Sequence, residues 1–317
     1  MRLRVLGSAA GGGFPQWNCG CANCDGVRRG SIRATARRQE SVAICSGAGG
    51  GEEGERWFVL NVSPEIRAQV ESFSGLWPKG RRQSPMAGLV LTNGDLDHCL
   101  GLLSLRESFP LNVYATAEVW RGFTEANVLF RTLERFPGQI TWHPIELGRE
   151  QRLSAGTSPS SNDDAGDLRM TAFAVTGKRP IHLENVGTPG PEDNIGLLIR
   201  PVGPGPVVAY VPAAARWTAE LEAQLSQADT VFFDGTFWSS AEMSTSGVGD
   251  KRAEDMAHLP IGGPEGSLER IKRLPARRKI FIHINNTNPI LREDSAERAQ
   301  VQAAGVEVAH DDMDVTL

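Results

Sequence analysis

Ten short apolar or alternating runs, each closed by a turn-forming or polar residue, constrain this 317-residue chain more than any other feature. They are Arg2–Leu6, Ser41–Ile44, Trp57–Asn61, Gly88–Leu91, Asn112–Ala115, Met170–Ala174, Gly196–Ile199, Val207–Tyr210, Thr230–Phe233 and Lys279–Ile282. Runs this short and apolar read as strands, and those without clear alternation need cover on both faces. Helical spacing falls between them, at Glu65–Phe73, Gly101–Ser108, Ala117–Phe136, Ala213–Ala228, Leu268–Leu274 and Asp294–Ala304. The pattern predicts an α/β fold, a four-layer αββα sandwich whose functional loops lie along one edge. Residues 1–317 read as a single domain with flexible, polar insertions near 46–56 and 154–167 that have nothing to bury.

Charge removes several function classes. Thirty-three basic against 38 acidic residues leave −5, which gives no bulk attraction for nucleic acid or an anionic membrane. No run reaches the roughly 18 apolar residues of a membrane span, so no membrane insertion is expected. Met1–Leu6 alternates and then enters glycines, unlike the apolar core of a secretory signal. A cytoplasmic protein is expected, in which the five cysteines serve metals or the core rather than disulfides.

Three of those cysteines, Cys19, Cys21 and Cys24, fall within six residues of one loop that opens with Gly11–Gly13. Cys21 and Cys24 have the spacing of a zinc knuckle, and structural zinc takes four ligands. The triplet is one short. Cys45, on an apolar run, reads as a core residue, and His310, in Val306–His310, is the candidate fourth ligand of a structural Zn2+ site.

A second constellation sits at the ends of three apolar runs. Asp95, Asp97 and His98 follow Leu89–Leu91, Asp234 follows Val231–Phe233, and His283 follows Phe281–Ile282. Polar residues at strand tips converge on one edge of an α/β fold, where sites are built. A single such Asp is a helix cap more often than a ligand. Three tips of the same kind point to a metal site.

These strings resemble the metallo-β-lactamase superfamily, whose signature is His-x-His-x-Asp-His between a strand and a helix. GSAAGGGFPQWNCGCANC, TNGDLDHCLGLLSLRE, DNIGLLI, FFDGTFW and HINNTNPIL, with the closing GVEVAHDD, are similar to the pyrroloquinoline quinone (PQQ) biosynthesis protein B family within it. The resemblance implies a sandwich of the metallo-β-lactamase type. It maps the second-metal ligands of dinuclear members onto Asp97, His98, Asp234 and His283, with Asp95 a ligand or a neighbour of the ion. The first-metal histidines are replaced by Asn93 and Asp95, so that site is weak or absent, and His182 is a candidate from the later loop.

Two imidazoles with carboxylates and open positions suit mononuclear non-haem Fe2+, with Zn2+ or Mn2+ able to occupy the site on purification. The family implies PQQ biosynthesis. An Fe(II)/O2-dependent hydroxylase would act on the tyrosine ring of a small acidic Glu–Tyr-derived precursor, alongside other PQQ-biosynthesis proteins. Arg179, Arg216 and Arg252 are candidate partners for that precursor's carboxylates. The alternatives are a carrier assisting transport of PQQ or its precursor to the periplasm, and a hydrolase of the superfamily's usual two-metal kind.

Overall fold

Strand alternation sorts the apolar side chains of this protein into three cores. The computed structural model describes residues 1–47, 55–125, 127–154, 166–184 and 188–317. The insertions expected near 46–56 and 154–167 lie mostly outside them. Among the described residues, two mixed sheets carry seven strands each. The first holds β1 (Arg2–Gly7), β2 (Ser41–Cys45), β3 (Trp57–Leu60), β4 (Met86–Val90), β5 (Leu111–Ala115) and β6 (Ile140–Pro144). The second holds β7 (Glu150–Leu153), β8 (Leu168–Ala174), β9 (Ile195–Pro201), β10 (Val208–Val211), β11 (Thr230–Asp234), β12 (Arg278–Ile282) and β13 (Glu307–Val308). β14 (Asp314–Thr316) returns to the first sheet and pairs antiparallel with β1. The strand orders are β14-β1-β2-β3-β4-β5-β6 and β13-β12-β11-β10-β9-β8-β7.

Val42 and Ile44 of β2 point into the core between the sheets with Phe58, Leu60, Tyr210 and Phe232. Their neighbours Ala43 and Cys45 point the other way, into a core with Trp57, Leu89, Val119 and Phe123. On the second sheet Phe232 faces inward, whereas Val231 and Phe233 face an outer core with Leu221, Leu268 and Val301. The helices that close the outer cores are α1 (Ala22–Arg29), α2 (Ile66–Glu71), α3 (Leu96–Cys99), α4 (Ala117–Thr124), α5 (Ala219–Leu225), α6 (Glu242–Thr245), α7 (Ser267–Ile271) and α8 (Ala296–Ala303). This is the expected four-layer αββα sandwich, with both sheets apolar on both faces as their strands required. Truncating the fully buried Phe232 to Ala would cost about 3–5 kcal/mol.

The elements differ from the sequence reading where polar groups redirect the chain. The helix expected over Ala117–Phe136 stops at Thr124, and Asn127 caps a separate 3-10 turn by accepting from Leu129 N. The helix expected from Ala213 begins at Ala219, because the Thr218 side chain caps it by accepting from Leu221 N. Gly101–Ser108 is a 3-10 turn over Leu100–Ser104. β6, β7, β13 and β14 lie at sheet edges and are too short or polar to read as apolar runs. α1, inside the cysteine loop, opens directly after Cys21 and ends on the left-handed Gly30.

Candidate metal sites

Parallel strands deliver their C-terminal tips to one edge, and the donor side chains meet there. β11 and β12 are parallel neighbours with Asp234 beside Ile282, so Asp234 and His283 leave adjacent strand ends. β4 runs out through Asn93 into α3, which carries Asp97 and His98. A bridge between Asn93 and Asn194 ties this tip of the first sheet to the start of β9 in the second. The Gly11 loop passes the same edge so closely that a Cβ there would stand 3.0 Å from Asp97 Oδ2. A side chain there would press on the Asp97 carboxylate and displace it by a few tenths of an ångström.

Asp97, His98 and His283 each offer a donor atom, all within 4.8 Å of one another, and Asp234, His258 and His283 form a second such group. His283 belongs to both. Its Nε2 lies 3.2 Å from Asp97 Oδ2, and His98 Nε2 lies 3.9 Å from the same oxygen. His283 reaches this position from a left-handed backbone, φ 60°, uncommon for a residue with a side chain. The tautomer of His283 follows from Thr236. That hydroxyl has one proton and lies 2.6 Å from Asp234 Oδ1, a carboxylate oxygen that can only accept. Thr236 therefore accepts from His283 Nδ1–H at 2.8 Å, which leaves Nε2 as the coordinating nitrogen.

His98 supplies the fit test for a cation. It is 1% exposed, and neither ring nitrogen has a hydrogen-bond partner. A buried imidazole unpaired on both nitrogens is costly unless an ion takes a lone pair. The charges agree. Burial opposes charge on Asp97, yet His98 and His283 hold it well below the usual carboxylate range. Burial likewise opposes charge on His283, but the Asp97 hydrogen bond and the Asp97 and Asp234 charges push it up to about 9. Burial, reinforced by the neighbouring imidazoles, pushes His98 down to about 4. Three imidazoles and two carboxylates among these groups make a hard nitrogen–oxygen set that fits Fe2+, Mn2+ or Zn2+.

Asp95 lies beside this set but outside both groups; burial and the Asp97 charge push it up to about 6. Asn93 is spent on structure, donating to Asn194 Oδ1 and accepting from Asp95 N. His182 is exposed on a 3-10 turn at the rim of a cavity of about 260 Å³, with Gly94, Leu96 and Cys99, and is not in either donor group. Arg179 is buried and held by Asp193 and Glu118, and Arg252 lies against Glu254, which leaves Arg216 exposed at the edge.

The sequence reading missed His258. Its Nδ1 lies 2.7 Å from Asp234 Oδ2, and its ring stacks on His283 with centroids 5.4 Å apart. It arrives from a loop turned back by Ala257 at φ 63°, with no strand before it to mark a tip. The signal present was arithmetic: with only six histidines in the chain, each could have been weighed as a donor. Glu40 was missed as well. It is fully enclosed, accepts from Tyr210 Oη and from Asn61 Nδ2 at 2.9 Å, and lies 3.9 Å from His98 Nε2. Burial pushes it up to about 7.

The three thiols of Cys19, Cys21 and Cys24 converge within 4.8 Å. His310 does not join them. Ala309 N bonds to Phe281 O beside β12, and His310 then turns outward, exposed, with Nδ1 2.9 Å from Asp311 O. The open side of the triangle is taken by the Asn286 carboxamide, 3.1, 3.7 and 3.3 Å from the sulfurs of Cys19, Cys21 and Cys24. Asn23 of α1 holds that loop by donating to the carbonyls of Asn286 and Asn288. Burial opposes the Cys21 thiolate, but hydrogen bonds around it lower its pKa overall, whereas burial pushes Cys24 up to about 11. Cys45 and Cys99 are buried in the outer core of the first sheet.

Residues 56–284 match the family described as the β-lactamase superfamily domain. The chain is 43% identical to coenzyme PQQ synthesis protein B of Ectopseudomonas mendocina (strain ymp), with all of both chains covered. It superposes on the crystal structure of Zn(2+)-bound PqqB from Methylobacterium extorquens with a TM-score of 0.89 at 38% identity, again over 100% of both chains. A diphosphatase of the PhnP family shares the fold at 19% identity and a TM-score of 0.64, over 99% of this chain and 97% of its own.

Proposed function

The chain belongs to the coenzyme PQQ synthesis protein B family of the β-lactamase superfamily, and on that footing we propose that it acts in PQQ biosynthesis as an Fe(II)- and O2-dependent hydroxylase of the tyrosine ring in a Glu–Tyr-derived precursor. The observation that carries this reading is one hard donor cluster around an unpaired, buried His98, with Asn93 turned to structural use where a two-metal hydrolase needs a ligand.

Asp97, His98 and His283 would hold the ion, with Asp234 and His258 beside it. Bound Fe2+ would supply the oxidising chemistry, with an external two-electron reductant needed to carry the second oxygen atom of O2 to water. The protein's own groups do the rest. Thr236 fixes His283 through Nδ1, so its ring cannot turn away from Asp97. Asp234 orients His258 through Nδ1 and leaves Nε2 free to accept a proton, here that of the phenol ring. Asp95 is a hydrogen-bond acceptor beside the donors. At the thiols, Zn2+ is the fitting ion, and the Asn286 carboxamide, whose nitrogen now faces the sulfurs, would serve as the fourth donor in place of His310 once flipped. Among the described residues no helix is long and apolar enough to cross a membrane.

Metal analysis of anaerobically purified protein tests the proposal. One labile iron beyond one thiol-bound zinc is expected; two labile equivalents would favour the hydrolase. Asp97→Ala should abolish PQQ production in cells, and unchanged production would favour the carrier.

A further inference from the structure

At the donor edge the carboxylates of Asp97 and Asp234 and the three imidazoles are committed to one another and to the ion, so a substrate carboxylate lying away from the ion needs a cation of its own. Three arginines were candidates in the sequence. Arg179 and Arg252 are held by acidic partners, and Arg216 projects from the rim. One further cation stands apart. Lys178 is exposed, and its ammonium makes no hydrogen bond or ion pair with a described residue. It lines a cavity of about 350 Å³ together with Gly177, Arg179, Glu184, Asp193 and Asn194. That volume is within the range of small-molecule sites. Asn194 also bonds to Asn93, two residues before Asp95, which ties the cavity floor to the chain segment that carries the donors.

The segment carrying Lys178 is clamped on both sides. Thr176 accepts from Ala215 N and Arg216 N, which fastens it to the loop whose Ala214 N donates to Asp234. Arg179 bonds Asp193 and Glu118, which fastens it to α4. A Cβ on Gly177 would stand 2.6 Å from the Asn194 side chain, so the backbone packs directly onto that floor. Arg179, Asp193 and Asn194 are used in holding the rim, which presents the Lys178 ammonium. Glu184 is the acidic group facing the same cavity, and Asp193 is neutralised by Arg179.

We propose that this cavity is a carboxylate subsite in which Lys178 anchors an amino-acid carboxylate of the substrate while its aromatic ring lies toward the donor cluster. The proposal rests on the tyrosine-derived substrate argued above. Its test is calorimetric titration of the metal-loaded protein with 3,4-dihydroxyphenylalanine and with its methyl ester, which lacks the carboxylate charge.

The wild type should bind the acid about tenfold more tightly than the ester, as one charge-assisted hydrogen bond provides. Lys178→Gln should erase that preference while keeping ester affinity and metal content, and Lys178→Arg should restore it. Arg216→Gln, outside the cavity lining, should leave the ratio within about twofold. A preference that survives in Lys178→Gln overturns the subsite and leaves the proposed reaction standing. A wild type that binds neither compound overturns both, because the aromatic substrate class itself then fails.

Discussion

The thiol cluster and the carboxylate–imidazole cluster gather donors in opposite ways. Cys19, Cys21 and Cys24 come from one loop of six residues, and only Asn286 arrives from a distance. Asp97, His98, Asp234, His258 and His283 come from four segments, and Asp97 and His283 are 186 residues apart. In the second case the sheets have already met the entropy of bringing the segments together, and the site is a product of the fold. In the first, the donors come from one short loop, and an ion bound there would brace the loop that supplies them. Losing the thiol-bound ion should therefore cost stability, and losing the other should cost chemistry.

His283→Ala is expected to break this contrast most visibly. It removes the donor shared by both groups, so the labile metal should be lost with an affinity drop of about 100-fold or more while zinc stays at one equivalent, as read by elemental analysis. Should both metals leave together, the two sites are not separable. Cys21→Ser tests the other arm. Zinc should be lost and the unfolding free energy should fall by about 4 kcal/mol, measured by denaturant titration, while labile metal binding survives.

A smaller effect is expected at His258. His258→Gln keeps the shape but not the base, and turnover should fall about 100-fold with metal content nearly intact. If only metal content falls, His258 is a ligand and not a base.

The last expectation concerns pH in metal-depleted protein. The folded-state pKa of His283 is raised from 6.5 to about 9, chiefly by Asp97 against the opposing pull of burial. A raised imidazole pKa stabilises the fold fully below 6.5, and that contribution is lost as pH rises through about 9. Stability should fall across that window without metal and stay flatter with it, since the ion replaces the proton on Nε2. A flat profile without metal would mean that the Asp97–His283 pair carries no net stabilisation.

The sequence made the two clusters unequally legible. Cysteine spacing announces itself, and apolar runs ending in Asp97–His98, Asp234 and His283 reveal strand tips that must share an edge. His258 has no such marker, because a left-handed turn in irregular chain aims it. Asn286 has no marker in the sequence, since a carboxamide is an unusual partner for thiols, whereas His310 is an ordinary zinc ligand by residue type. Glu40 stands among Arg37, Arg38 and Gln39, a stretch that reads as solvated surface, yet it is sealed between the sheets against Tyr210. The over-long helix at Ala117–Phe136 failed for a local reason, the competing cap of Asn127. Spacing reports what lies along a chain, and these misses all lie across it.

The short stretch from His283 to Asn286 faces both clusters, with His283 at the imidazoles and Asn286 three residues later against the thiols. Any coupling carried by so short a tie would have to run in both directions. Whatever factor a thiol-bound ion contributes to affinity at the imidazoles, an ion at the imidazoles must return to the thiols in equal measure. Zinc measured at the thiols with and without metal at the imidazoles would therefore read the same quantity as the reverse experiment.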